Sequence, residues 1–242
     1  MSKLPDEPLQ PNEHRAFFGR RAGKRLHKGQ QELMQTLLPA LEISAGDDPG
    51  ALAPRTPFAD PRAPTILEIG YGGGEHLARL ASENPGTNFV GAEAFTGGIG
   101  KMLEKIDDRD IENVRLYTQD AVGLLRGLPD NALAGAYLLY PDPWPKKRHH
   151  KRRFVSPLTL DELTRTIRPG GFFRFATDIE DYANWTLAHI VRHPGFVWPH
   201  VAPLGWHVPF EGWQPTRYEE KARRQGRMKS WYLTFMRVSP AV

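Results

Sequence analysis

The chain has 242 residues, 25% of them charged and 40% hydrophobic, enough for one globular domain with a full core and some appendages. It has no cysteine, which excludes a disulfide framework and any Cys-ligated zinc or iron–sulfur centre and suits a reducing cytoplasm. The formal net charge of +4 is concentrated in one place: without Lys146, Lys147, Arg148, Lys151, Arg152 and Arg153 the remainder is slightly negative, so one polyanion-binding face is expected rather than a uniformly basic protein.

Residues 1–43 read as an N-terminal basic arm and a helix. Residues 1–13 are polar and proline-rich; then Arg15, Arg20, Arg21, Lys24, Arg25 and Lys28 follow with Phe17 and Phe18 among them. That strip is either a solvated tail anchored by its phenylalanines or a set of phosphate contacts. Leu33, Leu37, Leu38 and Leu41 fall on one face of a helix expected over 30–43. Residues 44–64 hold five prolines and little apolar periodicity, and are expected to be a loop or linker.

From residue 65 to 242 strands and helices alternate, which predicts one α/β domain with a mostly parallel sheet covered on both faces. Strands are expected near 65–70, 88–93, 113–119, 133–140, 171–177, 196–201 and 230–238. Helices are expected near 74–84, 98–108, 121–127, 157–167 and 180–192, and residues 202–229 read as irregular and basic. No apolar run is long enough to span a bilayer, and the N-terminus has no secretory apolar region, so a cytoplasmic protein without membrane contact is expected.

The first strand runs into LEIGYGGGEHLARL, where Gly70, Gly72, Gly73 and Gly74 permit a sharp turn and let a ligand lie against bare backbone. Glu75 stands where a dinucleotide fingerprint needs its third glycine, so the ligand is not expected to be a pyrophosphate. Glu68, Glu93, Asp120, Asp142 and Asp178 sit at the carboxyl ends of successive strands. Any one of them could simply cap a helix, but a cationic ligand at that edge explains them together. Glu93 lies at the distance along the chain where a carboxylate reaches ribose hydroxyls; Asp120 is placed to accept from an adenine amino group or to hold nearby backbone.

Residues 141–153, PDPWPKKRHHKRR, combine two chemistries. The prolines push Tyr140, Asp142 and Trp144 out of the α region, which predicts a stiff extended loop. Behind it stand six Lys or Arg in eight residues, with His149 and His150 treated as part of the same surface because partner ligands for a metal are lacking. Trp144 either stacks on a flipped base or braces the loop.

These features resemble class I S-adenosylmethionine-dependent methyltransferases. With PDPWPKKRHHKRR, ATD at 176–178 and TRYEEKARRQG at 216–226, the chain is similar over about residues 14–238 to the tRNA (guanine-N7-)-methyltransferases of the bacterial single-chain type. The 44–64 insert is longer and richer in proline than that family's pattern. The resemblance implies a Rossmann-like class I methyltransferase fold, seven-stranded with a final antiparallel strand. It implies S-adenosylmethionine as cofactor, contacted by Glu68, Gly70, Gly72, Gly74, Glu93, Asp120, Ala121 and Asp142. It also implies tRNA as partner, with no obligatory protein partner. Lys146, Asp178, Thr216, Arg217, Tyr218 and Glu219 would contact the substrate, and Arg148, His149, His150, Lys151, Arg152 and Arg153 the RNA.

Guanine N7 has an in-plane lone pair and no proton, so methylation there needs alignment and no general base. Asp142 would be catalytic in that aligning sense. Asp178 and Glu219 could accept from the guanine N1–H and exocyclic amine, while Arg217 and Lys146 hold a flanking phosphate or ribose. Two rivals stand beside this reading: methylation of an exocyclic amine of adenine or cytosine, which a DPP-aromatic loop would favour, and a non-catalytic RNA-binding protein that retains the fold.

Overall fold

The structure is a computed structural model and describes residues 17–45, 52–54, 57–199, 203–226 and 229–239. Residues 1–16, with Arg15, lie outside them.

The N-terminal segment forms α1 (Lys28–Thr36) and α2 (Leu38–Leu41), then a short antiparallel hairpin, β1 (Ile43–Ala45) with β2 (Leu52–Pro54). The expected single helix over 30–43 is therefore two. Pro39 lies in the first turn of α2, where its missing N–H costs nothing. Within 44–64, expected to be a loop or linker, the structure describes strand β2 of this hairpin and the Pro57 carbonyl, which accepts from Arg115 at 2.7 Å; just before it, Glu42 bridges Leu116 and accepts a hydrogen bond from Thr118 Oγ1 at 2.7 Å.

The main domain follows as β3 (Thr65–Ile69), α3 (Glu75–Glu83), β4 (Asn88–Ala92), α4 (Thr96–Asp108), β5 (Val114–Tyr117), α5 (Ala121–Gly127), β6 (Leu133–Leu139), α6 (Pro157–Thr166), β7 (Ile167–Thr177), α7 (Glu180–Ile190), β8 (Phe196–Val197), α8 (Arg217–Arg224) and β9 (Trp231–Arg237). Its seven strands take the order β5–β4–β3–β6–β7–β9–β8. The first five neighbours pair in parallel, and β9 enters antiparallel to both β7 and β8. The chain winds outward from β3 to β5 and then returns to β6 on the other side of β3. That reversal opens a crevice at the carboxyl ends of β3 and β6, the place where open α/β sheets bind ligands.

Alternation along the strands divides the interior. Leu67 and Ile69 of β3 join Val90, Leu138, Phe173 and Phe175 in one core, while Phe89, Leu116, Leu77, Met102 and Leu103 form the other, which α2 closes with Leu38 and Leu41. Two further boundaries differ from expectation. β7 begins at Ile167, which pairs with Leu133; the register then shifts before Phe172 pairs with Gly135, with Gly170 at φ 79° in the irregular stretch between. Residues 202–229 are not wholly irregular: Thr216 Oγ1 accepts from the Glu219 N–H at 3.1 Å, a helix-starting contact, and α8 follows.

Candidate active site

Beyond Ile69 the chain turns through Gly70, Gly72 and Gly74 at φ 70°, 55° and 77°, a left-handed path that L side chains rarely adopt. The first turn of α4 lies close against it. A Cβ on Gly98 would stand 2.4 Å from the Gly72 carbonyl oxygen, so this approach requires glycine, and TGG at 96–98 was the sequence signal for it. Glu93 ties the turn down: Oε2 accepts from Gly72 N–H and Oε1 from Phe95 N–H, both at 2.9 Å. Burial pushes its carboxyl above the usual range; those amide hydrogen bonds oppose the rise and the charge of Asp142 adds to it. Each Glu93 oxygen keeps a lone pair for a ligand hydroxyl. Asp120 caps α5, accepting from Val122 N–H at 3.2 Å.

A cavity of about 290 Å³ occupies the crevice. The structure brings Gly70, Glu93, Asp120, Ala121 and Asp142 together as its walls, over an apolar floor that includes Ile69, Ala92 and Leu138. Gly72 and Gly74 shape the turn but do not line it. Glu68, also expected at the cofactor, lies outside this lining. Its side chain points to the opposite face of β3, is 3% exposed, and meets His76 Nδ1 at 2.7 Å beneath the glycine turn, so it supports the turn from below. Sequence reading missed other walls: Phe95, Gln119 and Tyr140, together with Arg20 and the two phenylalanines of the arm. The arm is fastened there by Thr96, whose N–H and Oγ1 both donate to the Arg21 carbonyl, at 3.0 and 2.9 Å, and by Arg20 over the Phe95 ring.

The 141–153 stretch departs from a plain extended loop. Tyr140 and Trp144 do leave the right-handed region, but for φ 48° and 44°, a conformation costly for bulky residues that persists only where surroundings enforce it. Lys147–Arg152 then form a 3₁₀ helix. Lys146, Lys147, Arg148 and Lys151 are exposed. Arg152 turns inward as a cavity wall, its guanidinium 4.8 Å from the Phe18 ring and 4.9 Å from that of Trp144. Arg153 is 1% exposed and ion-paired with Asp181, which removes it from any RNA-facing surface. Trp144 lines the cavity while its ring faces Arg152, Phe18 and His149.

The family description "Putative methyltransferase" matches residues 62–231. Curated tRNA (guanine-N(7)-)-methyltransferases are similar over nearly the whole chain. That of Brucella anthropi is 49% identical across 91% of this chain and 94% of its own length; that of Rhizobium johnstonii is 50% identical across 92% and 95%. The chain belongs to the tRNA (guanine-N7-)-methyltransferases. Among solved structures, the 16S rRNA methyltransferase KamB superposes with a TM-score of 0.52 over 73% of this chain and 88% of its own at 16% identity, a likeness of fold.

In this methyltransferase the described side chains expected at the substrate lie outside the cavity lining. Asp178 closes β7 and is 9% exposed, outside the cavity lining. Tyr218 is 42% exposed and its ring stands 5.2 Å from that of Tyr140, which does line the cavity. Thr216 caps α8, and nothing is described of the Arg217 side chain. Glu219 was expected at the substrate as well. It is 2% exposed, and its carboxylate accepts from Tyr232 OH at 2.8 Å, Arg223 Nη2 at 2.7 Å and Trp213 Nε1 at 3.0 Å, so it anchors α8 to β9. Among the described residues no group of His, Asp or Glu could hold a metal ion, and no helix is long and apolar enough to cross a membrane.

Proposed function

We propose that the protein transfers the methyl group of S-adenosylmethionine to N7 of a guanine in tRNA, with the cofactor in the crevice cavity. The observation that carries this reading is the junction itself: a cavity walled by Glu93, Asp120 and Asp142 opens beside the exposed cations of 146–151. The donor set fits the cofactor. Carboxylates suit its ammonium, sulfonium and ribose hydroxyls, the apolar floor suits adenine, and the glycine turn leaves open space at Gly70. Glu93 would take the ribose, Asp120 and Ala121 the adenine edge, and Asp142 the methionyl end.

When bound, the cofactor supplies an electrophilic methyl on a sulfonium. The protein's part would be to hold the cofactor with Asp142 at its methionyl end so that the methyl could pass to guanine N7 as the thioether leaves, positive charge passing to the purine. No proton leaves N7, so Asp142 aligns and favours the cationic product without acting as a base. Asp178, Lys146 and Tyr218 border the approach from the RNA side. A cysteine-free chain working on tRNA suits the cytoplasm.

The test is incubation with unmodified tRNA and methyl-labelled S-adenosylmethionine, then digestion to nucleosides. Label in N7-methylguanosine supports the reading. Label in an N6-methyladenosine or N4-methylcytidine moves it to the exocyclic-amine class, and cofactor binding without transfer moves it to a binding protein.

A further inference from the structure

Arg153 ends the basic run yet belongs to the interior, and its contacts reach in two directions. Nε donates to the Pro143 carbonyl at 2.9 Å; Nη1 donates to the Asp181 carbonyl at 3.4 Å, and Nη2 pairs with the Asp181 carboxylate. The guanidinium lies 4.8 Å from the Tyr182 ring and 5.3 Å from that of Trp185. Pro143 stands between Asp142 and Trp144, the latter held at φ 44°. Asp181 lies in the first turn of α7, three residues past Asp178.

We infer that Arg153 is a positioning residue for methyl transfer, a buried clamp that fixes the Asp142 loop against the first turn of α7 and so sets the spacing of Asp142 and Asp178. This deepens the proposed activity and rests on it. A clamp is needed here because the loop carries two bulky residues in left-handed backbone and would relax without an external hold. A planar guanidinium suits this role because it donates to Pro143 and pairs with Asp181 at fixed angles, whereas a lysine ammonium keeps the charge and loses the fork. The neighbouring His150 Nε2 lies 3.5 Å from the same Asp181 carboxylate, and burial foremost, with Arg153 next, holds its pKa below the usual histidine range, so near neutral pH it does not supply a second cation to replace the clamp.

The experiment is single-turnover methylation of a tRNA transcript by Arg153→Lys and Asp181→Asn, alongside S-adenosylhomocysteine affinity and the salt dependence of tRNA binding. For Arg153→Lys the rate at saturating enzyme should fall about 10- to 100-fold, the scale of a 1 Å misplacement, with both affinities within about twofold and the salt slope unchanged. Asp181→Asn, altering a side chain 64% exposed, should fold and lose rate in the same direction to a smaller extent. The inference is overturned if Arg153→Lys keeps its rate, if it weakens tRNA binding with a shallower salt slope, as a phosphate contact would, or if rate and both affinities fall together in proportion to unfolded protein. Should Arg153→Lys fail to fold, an unchanged rate in Asp181→Asn overturns it. Absence of transfer by the unaltered protein is a different failure, that of the proposed activity.

Discussion

The outward and inward faces of the 146–153 run share a composition and differ in what they can do. Its 3₁₀ helix repeats every three residues, and the contacts follow that period. Arg148 and Lys151 are exposed; His149 and Arg152 both face Trp144; His150 and Arg153 both face Asp181. A charge run is therefore sorted by backbone geometry into an exposed strip, a cavity wall and a buried ion pair. Nor do its histidines add charge: burial foremost, then the neighbouring cations, holds His149 and His150 below the ordinary histidine range, so both are mostly neutral near pH 7.

The largest break in this division should come from the inward side. Asp142→Asn removes the cavity charge proposed to align the methyl donor, and the single-turnover rate should drop about 10²- to 10³-fold, the usual cost of one preorganised electrostatic contact. A drop smaller than about tenfold would remove Asp142 from that role. Next come the two glutamates near the carboxyl ends of neighbouring strands, Glu93 at the cavity and Glu68 outside its lining. Glu93→Ala should weaken S-adenosylhomocysteine binding by about 10- to 100-fold, as expected for lost hydrogen bonds to a charged group. Glu68→Gln should instead lower folding stability by about 1–3 kcal/mol through its buried partner His76 and leave the affinity of folded protein nearly unchanged. Calorimetric titration and thermal melts separate the two, and a cofactor loss confined to Glu68→Gln would reverse their assignments.

The smallest effect is a pH dependence. Because the folded pKa of Glu93 is raised from 4.5, its contribution to stability is complete below the unfolded value and disappears as pH rises through the folded one. The melting temperature of the free protein should lose that increment across the window above 4.5. Cofactor affinity should rise across the same window, since the ionised carboxylate is the stronger acceptor for the ribose hydroxyls. Glu93→Gln should flatten both curves, and curves that stay parallel to those of the unaltered protein would locate the titration elsewhere.

Much of this was legible in the sequence. β3 to β7 and the acids at their ends follow from alternation and turn chemistry, and strand ends must meet at one edge in a parallel sheet. What sequence could not settle is which way a strand-end side chain points. Glu68 lies inside β3, one residue before Ile69 of the floor, so the period of two sends it to the other face, whereas Glu93 lies just past its strand. The β1–β2 hairpin escaped notice because three-residue strands, one ending in Pro54, carry too little pattern. α8 was announced by T-x-x-E at 216–219, but its charged surface hid it and its glutamate turned inward to Tyr232 and Trp213. The arm's phenylalanines were visible as anchors; that they anchor on the cavity depends on contacts far apart in the chain.

The most direct test is the salt dependence of tRNA binding, joined to the saturating single-turnover rate, for Lys147→Ala/Arg148→Ala/Lys151→Ala against the unaltered protein. If these outward cations each neutralise a phosphate, the slope of log affinity against log salt should become shallower by about 2–3, with the saturating rate within about threefold. An unchanged slope with a lost rate would contradict the division, placing the grip on RNA elsewhere and the outward face of the run in the chemistry.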